Sequence, residues 1–429
     1  MTLSVTVVSA PAKRLLATLL PIAFLSAPLP LLAQPSGNEL PLEEIQTFAE
    51  VFERIKRAYV EEVDDRTLLR NAMRGMLSEL DPHSAYLDEE EYQSLRESTQ
   101  GEFGGIGIEV GMENGQLMVI TPIDDTPASR AGLLSRDVIV AIDDTPTDSM
   151  SLQEAVTLMR GEPRTELRIS ILRSGEDTPR EFTLTREIIR SESVKHELLE
   201  PGYGYLRISQ FQSRTPDQAR NALEHMAREQ PLEGLILDLR NNPGGVLQAA
   251  VGIADLFLDE GLIVYTEGRL ADTEMSFSAT RTTPAGDVPL IVLINGGSAS
   301  AAEIVAGALQ DQRRGVVMGT DSFGKGSVQQ IMPLGNGEGL KLTTALYYTP
   351  NGRSIQAQGI EPDVEVVRGR LEVAESRREI READLDGHLS GQQAPRDRQQ
   401  MTERLRDDYQ LSEALNLLKA LNVVDRRRR

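Results

Sequence analysis

Apolar residues beyond position 40 first recur every three or four residues, which is the period of an α-helix. This stripe comprises Leu42, Ile45, Phe48, Phe52, Ile55 and Tyr59. It predicts one amphipathic helix, and a second helix is predicted over residues 67–80, ending before Pro82. Between residues 101 and 187, short segments alternate apolar and polar positions, which predicts strands. From about residue 188 to 368, apolar runs alternate with helical patterns, so an α/β domain is expected.

The last segment, residues 369–429, is strongly charged but contains a second apolar stripe. Its members are Leu411, Ala414, Leu415, Leu418 and Leu421. Because a charged tail offers no core of its own, we expect this stripe to pair with a helix of another chain. The N-terminal face around Phe48 and Phe52 is expected to pair likewise, which predicts a homodimer or a larger homo-oligomer. Packing of the tail stripe against the chain's own core is the alternative.

The first 33 residues have the pattern of an export signal. Lys13 and Arg14 precede an apolar run over residues 15–33, which three prolines interrupt. Those prolines make the run a poor membrane-spanning helix, and Ala33 favours cleavage before Gln34. We therefore expect a cleaved signal peptide and a periplasmic protein if the source is a Gram-negative bacterium. An uncleaved membrane anchor is the alternative.

The composition excludes several classes of function. With 429 residues, of which 40% are hydrophobic, the chain predicts two to four globular domains. The formal charge of −21 makes nucleic acid a poor partner, because phosphate binding needs a basic surface. The chain has no cysteine, which excludes disulfides, thiolate nucleophiles and cysteine-ligated metal sites.

Three familiar catalytic patterns do not fit. Residues 319–326 match a phosphate loop in part, but Gly326 replaces the magnesium-binding Ser or Thr and a strand pattern follows. Ser322 and Lys325 have the S-x-x-K spacing of penicillin-binding enzymes, but glycines flank the lysine where a helix is needed. None of the four histidines lies beside a G-x-S-x-G turn, and no H-E-x-x-H occurs. We therefore expect neither a metal nor a cofactor.

Ser300 is the strongest candidate for chemistry. It follows an apolar strand, residues 291–294, and a glycine turn, and it opens a predicted helix. Backbone amides at a helix start can hold an oxyanion, although a serine there is also an ordinary helix cap. A second tight turn, residues 241–245, can point amides into the same cleft. Lys325 lies among glycine and apolar residues, and burial lowers the pKa of a lysine, so it can act as a base.

The chain resembles the C-terminal processing proteases, also called tail-specific proteases, from about residue 40 to 367. The matching blocks, in order, are DPHSAYL (81–87), FGGIGI (103–108), GYGYLRISQF (202–211), LILDLRNNPGG (235–245), NGGSASAAEI (295–304), FGKGSVQ (323–329) and TPNGRSIQAQGIEPDV (349–364). The resemblance implies an α/β core like that of the crotonases and ClpP. It also implies that Ser300 is the nucleophile, that Lys325 is the general base and that Gln329 supports the lysine.

The same resemblance assigns the remaining groups of the active site. The oxyanion is expected to bind backbone amides of the turn, from Gly244 or Gly245, and of Ala301. Two acids, Glu303 and Asp311, match family positions whose role is expected to be structural.

Residues 101–187 resemble a PDZ domain, which binds a peptide C-terminus at a sheet edge and holds its carboxylate in a glycine-rich loop. The expected loop residues are Phe103, Gly104, Gly105, Ile106, Gly107 and Ile108. An ordinary hairpin glycine pair is the alternative. Arg160 follows the predicted helix of this domain and is a candidate sensor of the substrate carboxylate, against the alternative of a solvated arginine at a helix end.

The resulting hypothesis is a serine endopeptidase with a Ser–Lys dyad that processes or degrades envelope proteins, cell-wall hydrolases among them, through their C-terminal tails. Docking on a helical-repeat lipoprotein adaptor is also expected. The alternatives are a catalytically silent PDZ scaffold and a crotonase-like CoA enzyme. The expected organisation is a signal peptide (1–33), a helical segment (34–100), a PDZ domain (101–187), a protease core (188–368) and a charged helical tail for oligomerisation (369–429).

Overall fold

The computed structural model describes residues 41–428 except 114, 177, 282 and 371–402. The predicted signal peptide and much of the charged tail therefore lie outside the described residues. The chain divides into two units, residues 1–70 and 71–429. Within the described part of the chain, no helix is both long and apolar enough to cross a membrane.

The two predicted N-terminal helices are confirmed. Helix α1 spans Leu42–Ala58 and helix α2 spans Asp65–Ser78. In the described part of the first unit every residue is exposed or half-exposed, so the apolar face of α1 is uncovered there. Lys56 of α1 forms an ion pair of 2.7 Å with Asp65 at the start of α2.

The predicted strands between residues 101 and 187 form a small antiparallel sheet. From residue 85 to residue 190 the elements are β1 (Ala85–Leu87), α3 (Glu89–Gln100), β2 (Glu102–Gly105), β3 (Ile108–Glu113), β4 (Gln116–Pro122), α4 (Pro127–Ala131), β5 (Val138–Ile142), β6 (Thr145–Pro146), α5 (Leu152–Met159), β7 (Glu166–Leu172), β8 (Arg180–Thr185) and β9 (Glu187–Arg190). The strand order is β3-β4-β5-β7-β8, with β6 on β5, while β2 pairs with β9. The sheet has its own core, which includes Val119, Leu167 and Ile169.

Residues from 194 onward alternate strands and helices, as the sequence predicts. They form β10 (Val194–Glu200), β11 (Tyr203–Ile208), α6 (Thr215–Glu229), β12 (Gly234–Asp238), α7 (Leu247–Asp255), β13 (Leu262–Gly268), a 3-10 turn (Ala271–Thr273), β14 (Met275–Ser278), β15 (Leu290–Ile294), α8 (Ala301–Asp311), β16 (Val316–Gly319), β17 (Ser327–Pro333), β18 (Gly339–Tyr348), β19 (Val364–Glu365), α9 (Glu403–Asp407) and α10 (Tyr409–Arg428). One sheet has the order β10-β11-β12-β15-β16-β19 and is parallel from β11 onward. The other has the order β1-β18-β13-β14, with β17 on β18.

The parallel sheet is covered on both faces. Leu235 and Leu237 of β12 pack in the cluster that contains α6, α7 and α8. Ile236, between them, points to the opposite face because side chains alternate along a strand. There it packs in a cluster with Ile291 and Leu293 of β15.

Helix α10 covers this second face, so the prediction that the tail stripe pairs with another chain is wrong. Leu411, Ala414, Leu415 and Leu418 are at most 2% exposed, and they pack in the same cluster as Ile236. The physical reason is that every residue of β12 and β15 is buried, so the second face of these strands needs an apolar cover. The tail supplies that cover within one chain.

Candidate active site

Two turns meet at one edge of the parallel sheet. Strands β12 and β15 are parallel neighbours, with Asp238 opposite Leu293, so their carboxyl ends emerge side by side. The turn after β12 contains residues 241–245, and the turn after β15 leads into α8. The ends of these strands therefore bring the two predicted glycine turns together.

Side-chain amides join the two turns. The backbone N–H of Asn241 donates to Asn295 Oδ1 at 2.8 Å, and the side-chain Nδ2 of Asn295 donates to Asn241 Oδ1 at 3.0 Å. The Ala299 amide donates to the Asn242 carbonyl at 2.9 Å. Ser298 Oγ donates to the Leu239 carbonyl at 2.8 Å. These bonds fix one turn against the other and so fix the position of the residue that follows Ala299.

Ser300 is that residue, and its backbone is strained. Its φ of 54° and ψ of −113° lie outside the regions that a non-glycine residue normally adopts. Such strain persists only where the surroundings enforce it, and it concentrates at functional sites. Ser300 directly precedes α8 and lines a cavity of about 470 Å³.

Gly244 lies against Ser300, and its neighbour Gly245 lies against the backbone of Phe211, three residues after β11. A Cβ atom on Gly244 would lie 2.8 Å from Ser300 Cβ and 3.0 Å from the Ala301 nitrogen. A Cβ atom on Gly245 would lie 2.0 Å from the Phe211 carbonyl oxygen. Both residues have positive φ, of 101° and 139°. Only glycine fits this turn, which is how the backbone approaches the serine so closely.

Lys325 lines the same cavity as Ser300. It stands two residues before β17, and it is half-buried. Burial lowers the pKa of its ammonium group, and the charge of Lys341 lowers the pKa further. Asp81 and Glu303 act in the opposite direction. The balance leaves Lys325 with a pKa below its ordinary value, as predicted from its sequence context.

Glu303 is fully buried beneath these two residues. Its Oε2 accepts the backbone amides of Ser300 and Lys325, at 2.7 and 2.9 Å. Its Oε1 accepts Ser322 Oγ at 2.5 Å and the Gly324 amide at 2.6 Å. Burial raises the pKa of the carboxyl, and the four donors oppose that rise. One side chain therefore positions the backbone of the serine and that of the lysine.

Tyr347 of β18 makes a second link between the same residues. Its hydroxyl lies within hydrogen-bond distance of the carbonyl oxygens of Ser300, at 3.1 Å, and of Lys325. The side chain is 1% exposed, and burial raises the pKa of the phenol well above its usual value. It therefore stays protonated and can donate to these carbonyls at physiological pH.

Gln329 lines the cavity beside Lys325. Its Nε2 donates to Ser327 Oγ at 2.9 Å and to Thr343 Oγ1 at 3.2 Å. Thr343 Oγ1 in turn donates to Asp81 Oδ1 at 3.1 Å. The glutamine is thus joined through Thr343 to Asp81, one of the two acids whose charge acts on Lys325.

The other predicted acid, Asp311, has a structural environment. Arg353 forms an ion pair of 2.6 Å with its Oδ1, and the Asn351 amide donates to its Oδ2 at 2.9 Å. It fixes the loop after β18 to the end of α8. Across the described ranges, no group of three or more metal-ligating side chains is present.

The proposed peptide-binding residues lie at the entry to the small sheet. Phe103, Gly104 and Gly105 belong to β2 and pair with β9, so only Ile106 and Gly107 form the connection to β3, which begins at Ile108. Gly107 has a φ of 77°, and a Cβ atom there would lie 2.3 Å from Thr126 Cβ. The predicted six-residue loop is thus shorter in the structure than in the prediction.

Arg160 follows α5 and is held by two groups. Its guanidinium carbon lies 4.6 Å from the centre of the Phe103 ring, and its Nη1 lies 3.5 Å from Glu97 Oε2. Glu97 belongs to α3, which also contributes Leu95, Ser98 and Thr99 to the cavity at Ser300. One helix therefore touches both Arg160 and the cavity.

Comparison with known proteins gives the family. A model of peptidase family S41 matches residues 202–366, a PDZ domain model matches residues 118–173, and the model "Activating protease CtpB N-terminal domain" matches residues 30–91. The chain is 45% identical over 414 residues to the carboxy-terminal-processing protease of Bartonella bacilliformis, covering 92% of this chain and 94% of that one. This chain belongs to the carboxy-terminal-processing proteases. It is a serine-type peptidase with a mixed α/β core and a PDZ domain, as predicted.

Two further relatives of the protease are similar over most of the chain. The carboxyl-terminal-processing protease of Synechocystis sp. is 43% identical over 311 residues, which is 71% of this chain and 72% of that one. The solved photosystem II D1 C-terminal processing protease is 32% identical with a TM-score of 0.45, covering 76% of this chain and 93% of that one.

Three groups around the cavity of the protease escape prediction from sequence. In the sequence, Tyr347 is an aromatic residue within a strand pattern and Lys341 is a lysine within the same pattern, so neither stands out as a site residue. Asp81 lies in the matching block DPHSAYL, and that block was the only signal that could have drawn attention to it. Its contact with Thr343 joins residues 262 positions apart.

Proposed function

We propose that the protease is an endopeptidase in which Ser300 is the nucleophile and Lys325 the general base. The observation that carries this proposal is that the amides of both residues donate to one oxygen of Glu303 while both residues line one cavity. A serine is a weak nucleophile unless a base stands beside it, and a lysine serves as that base when its pKa is depressed. Burial and Lys341 depress the pKa of Lys325.

In the proposed reaction, Ser300 Oγ attacks the substrate carbonyl carbon while neutral Lys325 accepts the hydroxyl proton. Lys325 then protonates the leaving amine, and water hydrolyses the acyl-enzyme. Gln329 supports the lysine through the Thr343–Asp81 chain of hydrogen bonds. The Tyr347 hydroxyl and Glu303 hold the two backbone segments during these steps.

The oxyanion would bind backbone amides at the start of α8 and in the turn after β12. Gly245 and Ala301 line the cavity with Ser300. Gly244 is the weaker candidate because its amide already donates to Asn242 Oδ1 at 2.9 Å. Each such donor is typically worth about 2.7–4 kcal/mol of transition-state stabilisation.

The cavity favours apolar substrate side chains. Its wall includes Phe211, Val246, Met275, Ile304 and Val328. We propose that the PDZ domain, residues 101–187, presents apolar C-terminal tails to the core, residues 188–368, with Ile106 and Gly107 at the tail carboxylate. Arg160 would sense that carboxylate by exchanging its contact with Glu97 for one with the substrate.

We propose further that the signal over residues 1–33 directs the protease to the periplasm, where envelope proteins, cell-wall hydrolases among them, are the substrates. The exposed apolar residues of α1, such as Phe48 at 48% exposure, support a homo-oligomer contact or docking on a helical-repeat lipoprotein adaptor. The tail stripe does not support that proposal, because α10 is covered within the chain.

A digestion assay on an unstructured protein such as casein tests the proposed chemistry. Wild type is expected to cleave it, and Ser300→Ala and Lys325→Ala are expected to be inactive while folded. Cleavage by purified Ser300→Ala at the wild-type rate would contradict the assignment. Inactivity of wild type on casein and on envelope extracts would instead favour a PDZ scaffold. Capture by Ser300→Ala in the native envelope, followed by mass spectrometry, identifies the substrate.

A further inference from the structure

The cavity at Ser300 holds a second lysine. Lys341 lies on β18, where it pairs with Ile331 of β17 on one side and with Ala85 of β1 on the other. It lines the same cavity as Ser300 and Lys325. Among the residues that the structure describes, no carboxylate oxygen lies within ion-pair distance of its ammonium group. It therefore brings an uncompensated positive charge to the cavity.

Charged groups face Lys325 from three directions. Asp81 and His83 lie before β1, Glu303 lies on α8, and Lys341 lies on β18. Tyr347, also on β18, contacts the Lys325 carbonyl as a protonated phenol. Burial is the largest effect on His83 and lowers the pKa of its imidazole, so that histidine is neutral near pH 7. The charges that matter at neutral pH are thus two carboxylates and one ammonium group.

The two carboxylates are already engaged by other donors. Asp81 accepts the amides of His83 and Ser84, at 2.8 and 2.9 Å, as well as Ser84 Oγ at 2.6 Å. Glu303 accepts four donors. Hydrogen-bond donors spread and offset the charge of a carboxylate, whereas Lys341 has no ion-pair partner in the described part of the chain to offset its own charge.

We propose that Lys341 is a positioning residue for the reaction: its charge, in the cavity shared with Lys325, keeps Lys325 in the neutral form that can accept the proton of Ser300. The inference rests on the proposed role of Lys325 as base. It adds that a second cation, Lys341, favours the neutral form of this base, whereas the charge of Asp81 favours the protonated form. A neighbouring cation disfavours the protonated form of an ammonium group, so the charge of Lys341 favours loss of the proton from Lys325.

The pH dependence of kcat/KM tests this inference on purified full-length protein. Without the charge at position 341, protonated Lys325 is favoured, its pKa rises, and the acid limb of the profile moves to higher pH. Lys341→Met is expected to show this movement, and for each pH unit that the limb moves, kcat/KM on the acid side falls about tenfold. Lys341→Arg keeps the charge and is expected to keep the limb in place. Asp81→Asn is expected to move the limb to lower pH.

Two further variants and one labelling measurement separate the effect of the charge from packing and from turnover. Lys195→Gln removes one positive charge at an exposed site outside the cavity and is expected to leave the profile unchanged. Lys341→Gln replaces the methionine variant if that variant does not fold. In the Ser300→Ala background, the pH dependence of acetic anhydride labelling at Lys325, followed by mass spectrometry, reports the lysine without turnover. Labelling is expected to need higher pH once Lys341 is neutral.

An acid limb and a labelling profile that stay in place in the neutral variants would overturn the inference. An equal movement of the limb in Lys341→Arg would also overturn it, because the effect would then not come from charge. Lys325→Ala distinguishes this failure from failure of the proposed function. If Lys325→Ala is inactive but neutral residues at 341 leave the limb in place, only the role of Lys341 is wrong. If Lys325→Ala keeps wild-type activity, the dyad itself is wrong.

Discussion

The backbone amides of Ser300 and Lys325 donate to the same carboxylate oxygen, Oε2 of Glu303. The two residues come from different segments, the start of α8 and the approach to β17. Because both amides bind the same oxygen, one buried side chain, that of Glu303, fixes the distance between the two backbone segments. The precision that the proposed nucleophile and base need thus comes from the protein interior, where side chains have little freedom to move.

Glu303→Gln is expected to separate these segments. A glutamine keeps one acceptor oxygen but presents an NH₂ group where two donors now point, which leaves buried donors unpaired. We expect the free energy of unfolding to fall by about 1–3 kcal/mol and peptidase activity to be largely lost. Urea unfolding and casein digestion measure the two effects. The matched control is Glu260→Gln at an exposed site, and equal behaviour of the two variants would contradict the linking role.

Lys325→Arg is expected to abolish turnover almost as fully as Lys325→Ala. An arginine stays protonated at any working pH and so cannot accept the proton of Ser300. The loss should reach about 10²–10⁴-fold in kcat, the usual contribution of a positioned base. The far-UV circular dichroism spectrum should be unchanged. EDTA and thiol reagents should leave wild-type activity intact, and inactivation of purified enzyme by EDTA would argue against the Ser–Lys mechanism.

Gly244→Ala is expected to inactivate the protease through a direct clash. The new methyl group would lie 2.8 Å from Ser300 Cβ at a residue whose φ is 101°. Gly132→Ala is the matched control, since Gly132 has a similar φ of 84° but none of the described residues lies within 4 Å of the added atom. Both variants carry backbone strain of about 1–3 kcal/mol, and the clash adds a further loss of thermal stability in Gly244→Ala only. Only Gly244→Ala should lose casein digestion, and retention there would show that the close approach is not needed.

Asp408→Asn is expected to weaken the attachment of the tail. Asp408 accepts Arg240 Nη1 at 2.9 Å and Nη2 at 2.7 Å. Burial raises the pKa of Asp408, but the bonds from Arg240 outweigh burial and hold it below its usual value. A depressed carboxyl pKa stabilises the fold above the unfolded-state pKa, and the stabilisation is lost as pH falls through the folded-state pKa.

The pH dependence gives the test of this pair. The free energy of unfolding of the wild type, measured with a chemical denaturant, should fall as the pH is lowered from about 4, which is near the ordinary pKa of an aspartate. Asp408→Asn should lose about 1–3 kcal/mol at pH 7 and show a weaker pH dependence in that range. An unchanged slope in the variant would exclude Asp408 as a contributor.

Leu415→Ala should destabilise the protease without changing its oligomeric state. Leu415 is 2% exposed and packs beneath the parallel sheet, so truncation leaves a cavity that costs about 2–5 kcal/mol. Val423 on the same helix is 53% exposed, and Val423→Ala should be nearly neutral. Sedimentation of the two variants compares the assemblies. Dissociation caused by Leu415→Ala, with folding intact, would restore the stripe as an oligomer contact.

The local patterns of this chain predict its elements better than its tertiary pairings. The strands at 234–238 and 290–294 can be predicted because they are short runs in which every residue except Gly234 and Asp238 is apolar. Ser300 can be predicted as a candidate because it stands between a turn and a helix. The sequence does not predict which surface α10 packs against, since an apolar stripe is compatible with any apolar surface. The link from Asp81 to Thr343 depends on β1 joining β18, a pairing that no short-range pattern encodes.

The cover that α10 gives the parallel sheet has a consequence for biogenesis. Synthesis runs from the N-terminus, so every strand of that sheet leaves the ribosome before Leu411 to Leu418 do. Until those residues arrive, Ile236, Ile291 and Leu293 lack the side chains that bury them, and Arg240 lacks Asp408 just ahead of the turn that approaches Ser300. A nascent chain therefore completes this face of the sheet, and the ion pair of Arg240 with Asp408, only after α10 has been made.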